Sequence, residues 1–198
     1  MALFDRLKDQ AKNLQQQVQG GRGATGGHGA PGFGGGAHGA SHGAPHGGSS
    51  GGSRAQLVGL LKTQLGSLKT ELKSGAYRDA SMAMCALVAA ADGHVDAAER
   101  QQMESMILSN DVLQNFPPEQ LRDRFHKHVD LLTRNFPQGK AEAMQEIAKA
   151  AKKPAEARAV IQTGIVIAGA DGYFSQAEQE VLREACAALG VSPAEFQL

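Results

Sequence analysis

Residues 89–99 read AAADGHVDAAE, and residues 168–178 read AGADGYFSQAE. The two stretches lie 79 residues apart and agree at six of eleven positions: Ala89/Ala168, Ala91/Ala170, Asp92/Asp171, Gly93/Gly172, Ala98/Ala177 and Glu99/Glu178. An apolar run with helical spacing leads into each copy and another leads out. The correspondence continues downstream, with Met103 matching Leu182, Met106 matching Ala185 and Ile107 matching Cys186. One supersecondary unit, helix–tight turn–helix, is therefore used twice. Gly93 and Gly172 stand where the first helix of each unit should end, a place that favours the left-handed conformation. Asp96 and Ser175 stand at the N-cap of the second helix, with Glu99 and Glu178 three residues on. That is the capping-box spacing, in which cap and glutamate side chains each satisfy an orphan backbone N–H.

Outward from the repeats, the rest of the C-terminal region also reads as helix. Ser53 is placed to cap a first helix carrying Leu57, Leu60, Leu61, Leu65, Leu68 and Leu72 and ending near Gly75. A second helix is predicted over 77–91, with Met84, Leu87, Val88 and Ala91 on one face, and a third from Ala97 to Leu108. Pro117 and Pro118 start a fourth, with Leu121, Phe125, Val129 and Leu132 at helical spacing. A fifth follows Pro137, and Pro154 opens a sixth containing Val160, Ile161, Ile165 and Ala168. The seventh runs from Gln176 to Leu189 and stops at Gly190. Ser192-Pro193-Ala194-Glu195 begins a last turn. No window alternates with the period of a half-buried strand. The expected fold is all-α, a compact bundle of about seven helices around two pseudo-symmetric helix–DG turn–helix repeats.

Two further regions precede this domain, which is assigned to residues 54–198. Residues 1–19 place Phe4, Leu7, Ala11, Leu14 and Val18 on one stripe of an amphipathic helix. Residues 20–53 hold sixteen glycines, four histidines and no acidic residue, the composition of a disordered linker. His38, His42 and His46 recur every four residues there, with His28 upstream. The intervening Gly and Pro oppose the helix that would align them as metal ligands, so they read as solvated linker residues. His126 and His128, two apart on the fourth helix, cannot share a face and read as surface residues.

The 198-residue chain has no net charge, which argues against nucleic acid as a main partner. Its two cysteines, Cys85 and Cys186, match no metal spacing and read as buried thiols in a reducing, cytoplasmic compartment. No stretch approaches the ~20 apolar residues of a membrane span, and no secretory signal pattern opens the chain. No nucleophile constellation stands out, so an enzyme is not expected.

The acidic residues of the two DG segments are the candidate site. Capping accounts for Glu99 and Glu178. Asp92 and Asp171 sit near helix C-termini, where the macrodipole disfavours a negative charge by ~0.3–1 kcal/mol. Either each folds over its turn as an Asx turn, or the carboxylates bind a cation. Asp92, Asp96, Glu99, Asp171 and Glu178 offer only oxygen, which suits Ca²⁺ or another hard divalent ion such as Mg²⁺ or Mn²⁺. The segment is not an EF-hand, because counting from Asp92 places Gly second, Glu eighth and Met103 twelfth. A shared site requires the two turns to meet in space.

With ADG-x-x-D-x-x-E at 91–99, ADGYFSQAE at 170–178 and the ending ALGVSPAEF at 188–196, the chain resembles the tellurite-resistance TerB family over about residues 66–198. The resemblance implies a compact all-helical, non-enzymatic stress-response module. It implies work in the cytoplasm or at the inner face of the membrane, with other Ter proteins including a membrane-embedded, TerC-like partner. It also implies a link to Ca²⁺ or related cations through Asp92, Asp96, Glu99, Asp171 and Glu178. Ser175 stands where the family commonly has an acid, and the Gly/His linker is no part of the family pattern. Two other uses of the same carboxylates stand beside this one: a metal-dependent hydrolase, and a cochaperone-type adaptor in which they only cap helices.

Overall fold

The computed structural model describes residues 50–169 and 174–198. The N-terminal stripe, most of the Gly/His linker and the tip of the second DG turn, including Asp171, lie outside the described residues. Among the described residues the chain forms seven α-helices: α1 (Ser50–Ser67), α2 (Gly75–Ala89), α3 (Ala97–Ser109), α4 (Pro118–Arg134), α5 (Phe136–Ala148), α6 (Pro154–Ala168) and α7 (Gln176–Leu189). Short 3₁₀ turns at Leu113–Asn115, Lys149–Lys152 and Pro193–Phe196 link or end them. No strand occurs among the described residues, so the all-α expectation holds.

The first helices of the two repeats, α2 and α6, form the centre. In α2 every residue from Ala80 to Val88 is buried, and in α6 every residue from Ala159 to Ala168. A helix that is apolar on all sides can only lie inside the protein. The expected single apolar face of α2 is thus a fully enclosed surface, because α4, α5 and α6 all pack on it. The two central helices meet where Gly164 of α6 lies against Met84 of α2. They also share a polar contact, Tyr77 Oη to Thr163 Oγ1 at 2.7 Å, and Thr163 Oγ1 donates to the Ala159 carbonyl. Burial pushes the Tyr77 hydroxyl up to about 12. At their N-terminal ends, buried Glu156 accepts from Ser74 Oγ and from Lys153 Nζ, each at 2.9 Å.

The second helices exchange partners across this pair. Helix α3 contacts α6 as well as α2, and α7 contacts α2 as well as α6. Met103 and Ile107 of α3, and Leu182, Ala185 and Cys186 of α7, are buried, so both second helices use the face that the repeat predicts. Cys85 and Cys186 are free, buried thiols, and burial raises both pKa values. Outside the core, Asp79 is bracketed by Arg78 at 2.7 Å and by Arg124, which ties the start of α2 to α4. On α3, Glu104 takes Arg122 at 2.7 Å and His126 at 2.8 Å from α4.

Three sequence expectations are corrected. Helix α1 begins at Ser50, a turn before the expected Ser53 cap and inside the expected linker, and it ends at Ser67 rather than near Gly75. Adding a turn to a formed helix gains one hydrogen bond per residue fixed, which carries it back through Gly51 and Gly52. At its other end the chain turns at Leu68, and Asn115 Nδ2 donates to the Lys69 and Leu72 carbonyls at 2.6 and 3.1 Å. Helix α2 covers 75–89 rather than 77–91, because Ser74 Oγ accepts the Tyr77 N–H and caps it two residues early. His128 is not a surface residue. It is only 6% exposed, and its Nδ1 has no hydrogen-bond partner among the described residues. Helix α5 follows α4 after a single residue, Asn135, and covers that face.

Two predictions follow from this packing. A Cβ built on Gly139 would lie 2.6 Å from the Leu132 nitrogen and 2.7 Å from its Cα, both backbone atoms that cannot move aside. Gly139→Ala should therefore lower the unfolding free energy by ~1–3 kcal/mol in urea titration. Burial, with Lys127 alongside, depresses the His128 pKa, while Glu146, Glu142 and Asp79 act weakly against it. The unfolded chain binds that proton more readily, so the stabilisation is present above pH ~6.5 and is lost as pH falls through the folded-state value. Urea midpoints should drop between pH 7 and pH 5, and His128→Gln should remove most of that slope.

Candidate functional site

The first repeat ends its first helix, and both repeats begin their second, beside one small cavity. Val88 and Ala89 at the end of α2, Asp92, then Glu99 and Met103 on α3, and Ser175 and Glu178 at the start of α7 line it. The space is about 30 Å³, roughly the room of a single water molecule or bare ion. Asp92 of the first DG turn and the start of the second repeat's second helix therefore meet in space.

Local sequence explains how each acid is held. Helix α2 is closed by Ala90, and Gly93 takes φ +87°, the left-handed step that reverses the chain. Asp92 lies beyond the helix, not in its last turn, which removes most of the expected conflict with the macrodipole. Its Oδ1 accepts the His94 N–H at 3.1 Å, the Asx-turn alternative. Its side chain is exposed. Asp96 Oδ1 accepts the N–H groups of Ala98 and Glu99, both at 2.8 Å, while Glu99 Oε2 accepts the Asp96 N–H at 3.0 Å. The second copy repeats the pattern: Ser175 Oγ accepts from the Glu178 N–H at 3.1 Å, and Glu178 Oε2 accepts from the Ser175 N–H at 2.5 Å. Both capping boxes form.

The two glutamates are the most enclosed acids of the site, at 9% exposure for Glu99 and 8% for Glu178. Carboxylates are rarely buried unless they are hydrogen-bonded, and here the capping bonds hold one oxygen of each. Asp92, Glu99 and Glu178 therefore come together at one cavity. Asp96 caps its helix without lining that cavity, and Asp171 lies outside the described residues. Ser175 is the site residue that sequence reading undervalued. It reads there as a missing acid, yet its cap position brings it to the cavity wall. Val88 and Met103 supply an apolar wall that alignment of the acids alone does not reveal. Among the described residues, no group of three His, Cys, Asp or Glu side chains is arranged to hold a metal ion by itself.

A duplicated helix–turn–helix with paired capping boxes, packed as two central helices with exchanged partners, defines the class of protein: an all-helical module with an acidic seam between its repeats. The sequence model of the family described as Tellurite resistance protein TerB matches residues 78–198. The chain belongs to the TerB family. No curated protein and no solved structure matches it. Helix α1 and the first turn of α2 precede the matched region.

The caps are testable. Asp96→Ala and Ser175→Ala should each cost ~0.5–2 kcal/mol in thermal or urea unfolding. Ser175→Asp, which preserves the cap acceptor, should stay within ~0.5 kcal/mol of the parent.

Proposed function

We propose that this TerB-family chain is a non-enzymatic stress-response module that binds a hard divalent cation, Ca²⁺ or one of like chemistry, in the seam between its two DG turns. The observation that carries the reading is the convergence of Glu99 and Glu178, one from each repeat, on a single cavity that Asp92 and Ser175 also line. Every polar side chain there offers oxygen, the donor set that Ca²⁺ and Mg²⁺ prefer. Asp92, Glu99, Asp171 and Glu178 would hold the ion, with Ser175 as a neutral oxygen in the second half. Asp96 would act by fixing the helix that carries Glu99. A bound cation would neutralise the repulsion among these acids and fasten the two repeats together.

Binding rather than catalysis suits a TerB-family module. Family membership supports other Ter proteins as partners, among them a TerC-like protein in the membrane, met at the cytoplasmic face. No helix among the described residues is long and apolar enough to cross a membrane, so contact with such a partner would be peripheral. One local observation favours the purely structural, cochaperone-type adaptor: the Asx turn of Asp92 and both capping boxes already give those acids work without a ligand.

Calorimetric titration of the full chain with Ca²⁺ and Mg²⁺ separates the two readings. Binding in the micromolar range, weakened at least tenfold by Asp92→Asn with Asp171→Asn and by Glu178→Gln, is the expected outcome. Binding absent below millimolar concentration, or indifferent to all three substitutions, rejects the cation site and leaves the adaptor.

A further inference from the structure

An open groove of about 500 Å³ lies between the start of α6 and the end of α7. Helix α7 begins at the seam with Ser175 and ends at the groove with Leu189. Its 14 residues span ~21 Å, so groove and seam are separate places. The groove falls within the ~300–1,000 Å³ typical of ligand sites. Most of its lining is small and apolar: Pro154 and Ala157 on the α6 side, Ala187, Ala188, Leu189 and Val191 on the α7 side.

The two walls differ in polar character. Among the described residues, Arg158 is the one charged side chain that lines the groove. Its Nε donates to Glu195 Oε2 at 2.9 Å, and a guanidinium carries four further N–H donors. Residues 149–158 hold four bases, Lys149, Lys152, Lys153 and Arg158, against one acid, Glu156. That acid is buried and already bonded to Lys153 and Ser74. Lys152 is exposed, at the end of the 3₁₀ turn that leads into Pro154. The α7 wall offers acceptors instead. Gly190 N–H donates to the Ala187 carbonyl and Val191 N–H to the Cys186 carbonyl, which closes the helix. Ala188 and Leu189 come next and line the groove, and the last carbonyls of a helix have no partner within it.

We propose that this groove docks an acidic segment of a partner polypeptide. Carboxylates of the segment meet Arg158, Lys152 and Lys153, the charge-assisted pairing by which basic clusters read acidic motifs. Its backbone N–H groups meet the end of α7, and an aliphatic side chain lies against Ala157, Leu189 and Val191. A lone carboxylate ion would use only the basic wall, and a phosphodiester backbone has no N–H for the other. A peptide is the occupant that uses both. The Glu195 bond ties Arg158 of α6 to the C-terminal 3₁₀ turn, so one contact of the site is fixed before docking. Cation binding at the seam has no part in this docking.

Amide chemical-shift mapping on the full chain, without added cation, tests the docking. The probe is an end-blocked octapeptide of alternating Glu and Leu, and its control carries Gln in place of every Glu. Saturable shifts confined to residues 151–158 and 187–191 are expected, with the Gln peptide about tenfold weaker. Lys152→Gln with Arg158→Gln should weaken the acidic peptide about three- to tenfold, and raising salt from ~50 to ~300 mM should weaken it further. Lys152→Gln alone leaves the Arg158–Glu195 bond intact, so its effect reports docking rather than the state of the C-terminal turn. Ala187→Leu, at an exposed position, should narrow the groove and weaken both peptides. The proposal is overturned by no shift at millimolar peptide, by shifts spread over lysines elsewhere, or by equal binding of the Gln peptide. Indifference to both Lys152→Gln and Ala187→Leu overturns it too. A failed calcium titration rejects the cation site without touching this result.

Discussion

The contact between α2 and α6 is the constraint on which the rest of the structure depends. Each is apolar on nearly every side, so neither can lie on a surface, and each buried large side chain contributes ~1.5–3 kcal/mol. Burying both requires that they pack on each other and that the remaining helices close around them. Gly164 against Met84 sets the approach, and the Tyr77–Thr163 bond gives that approach a preferred register. Because the two helices are the leading halves of a duplicated unit, their ends fall together in space. Ser74 and Glu156 fasten one end. Glu99 of one capping box and Ser175 and Glu178 of the other line a common seam.

Polar groups inside this core divide into those that are satisfied and those left poised. Glu99, Glu156 and Glu178 each accept hydrogen bonds that compensate for their burial. The capping box is efficient here because one bond pattern does two things: it ends the orphaning of helix N–H groups and lets a carboxylate sit beside apolar Met103 and Val88. His128 differs. Its buried ring favours the neutral form, which makes the α4–α5 face sensitive to acid. Asp79 and Glu104 are held below the usual carboxylate range by their basic neighbours, although burial alone would raise them. Those carboxylate clusters lose their stabilising charge only at more acidic pH than the histidine does.

Much of this was legible in the residues. The Asp-Gly pairs, the cap residues and the glutamates three positions on are local signals, decided by backbone hydrogen bonding within one turn. Pro118 and Pro154 likewise announce helix starts, and Gly190, at φ +68°, a helix end. What failed depends on distant partners. The apolar faces assigned to α2 could not reveal that three helices would enclose it. The leucines at 68 and 72 continued the spacing of α1, but Asn115, more than forty residues away, holds that segment as a turn. His128 looked exposed because its burial is imposed by α5, a separate helix folded back over it.

At the site, the sequence by itself determined which residues are acids and that each copy closes its second helix with a capping box, since cap and glutamate lie within one helical turn. Only the tertiary structure decided which acids share a space. Exchange of second-helix partners across α2 and α6 carries Glu178 and Ser175 to the side of Asp92 and Glu99 and leaves Asp96 out of the cavity wall. It also moved the weight from the aspartates to the glutamates. Asp92 is exposed and already engaged by its own turn, whereas Glu99 and Glu178 are enclosed where the repeats meet. The physical reason is one of range: a cap is a contact between residues three apart, while a shared cavity is set by how two buried helices cross.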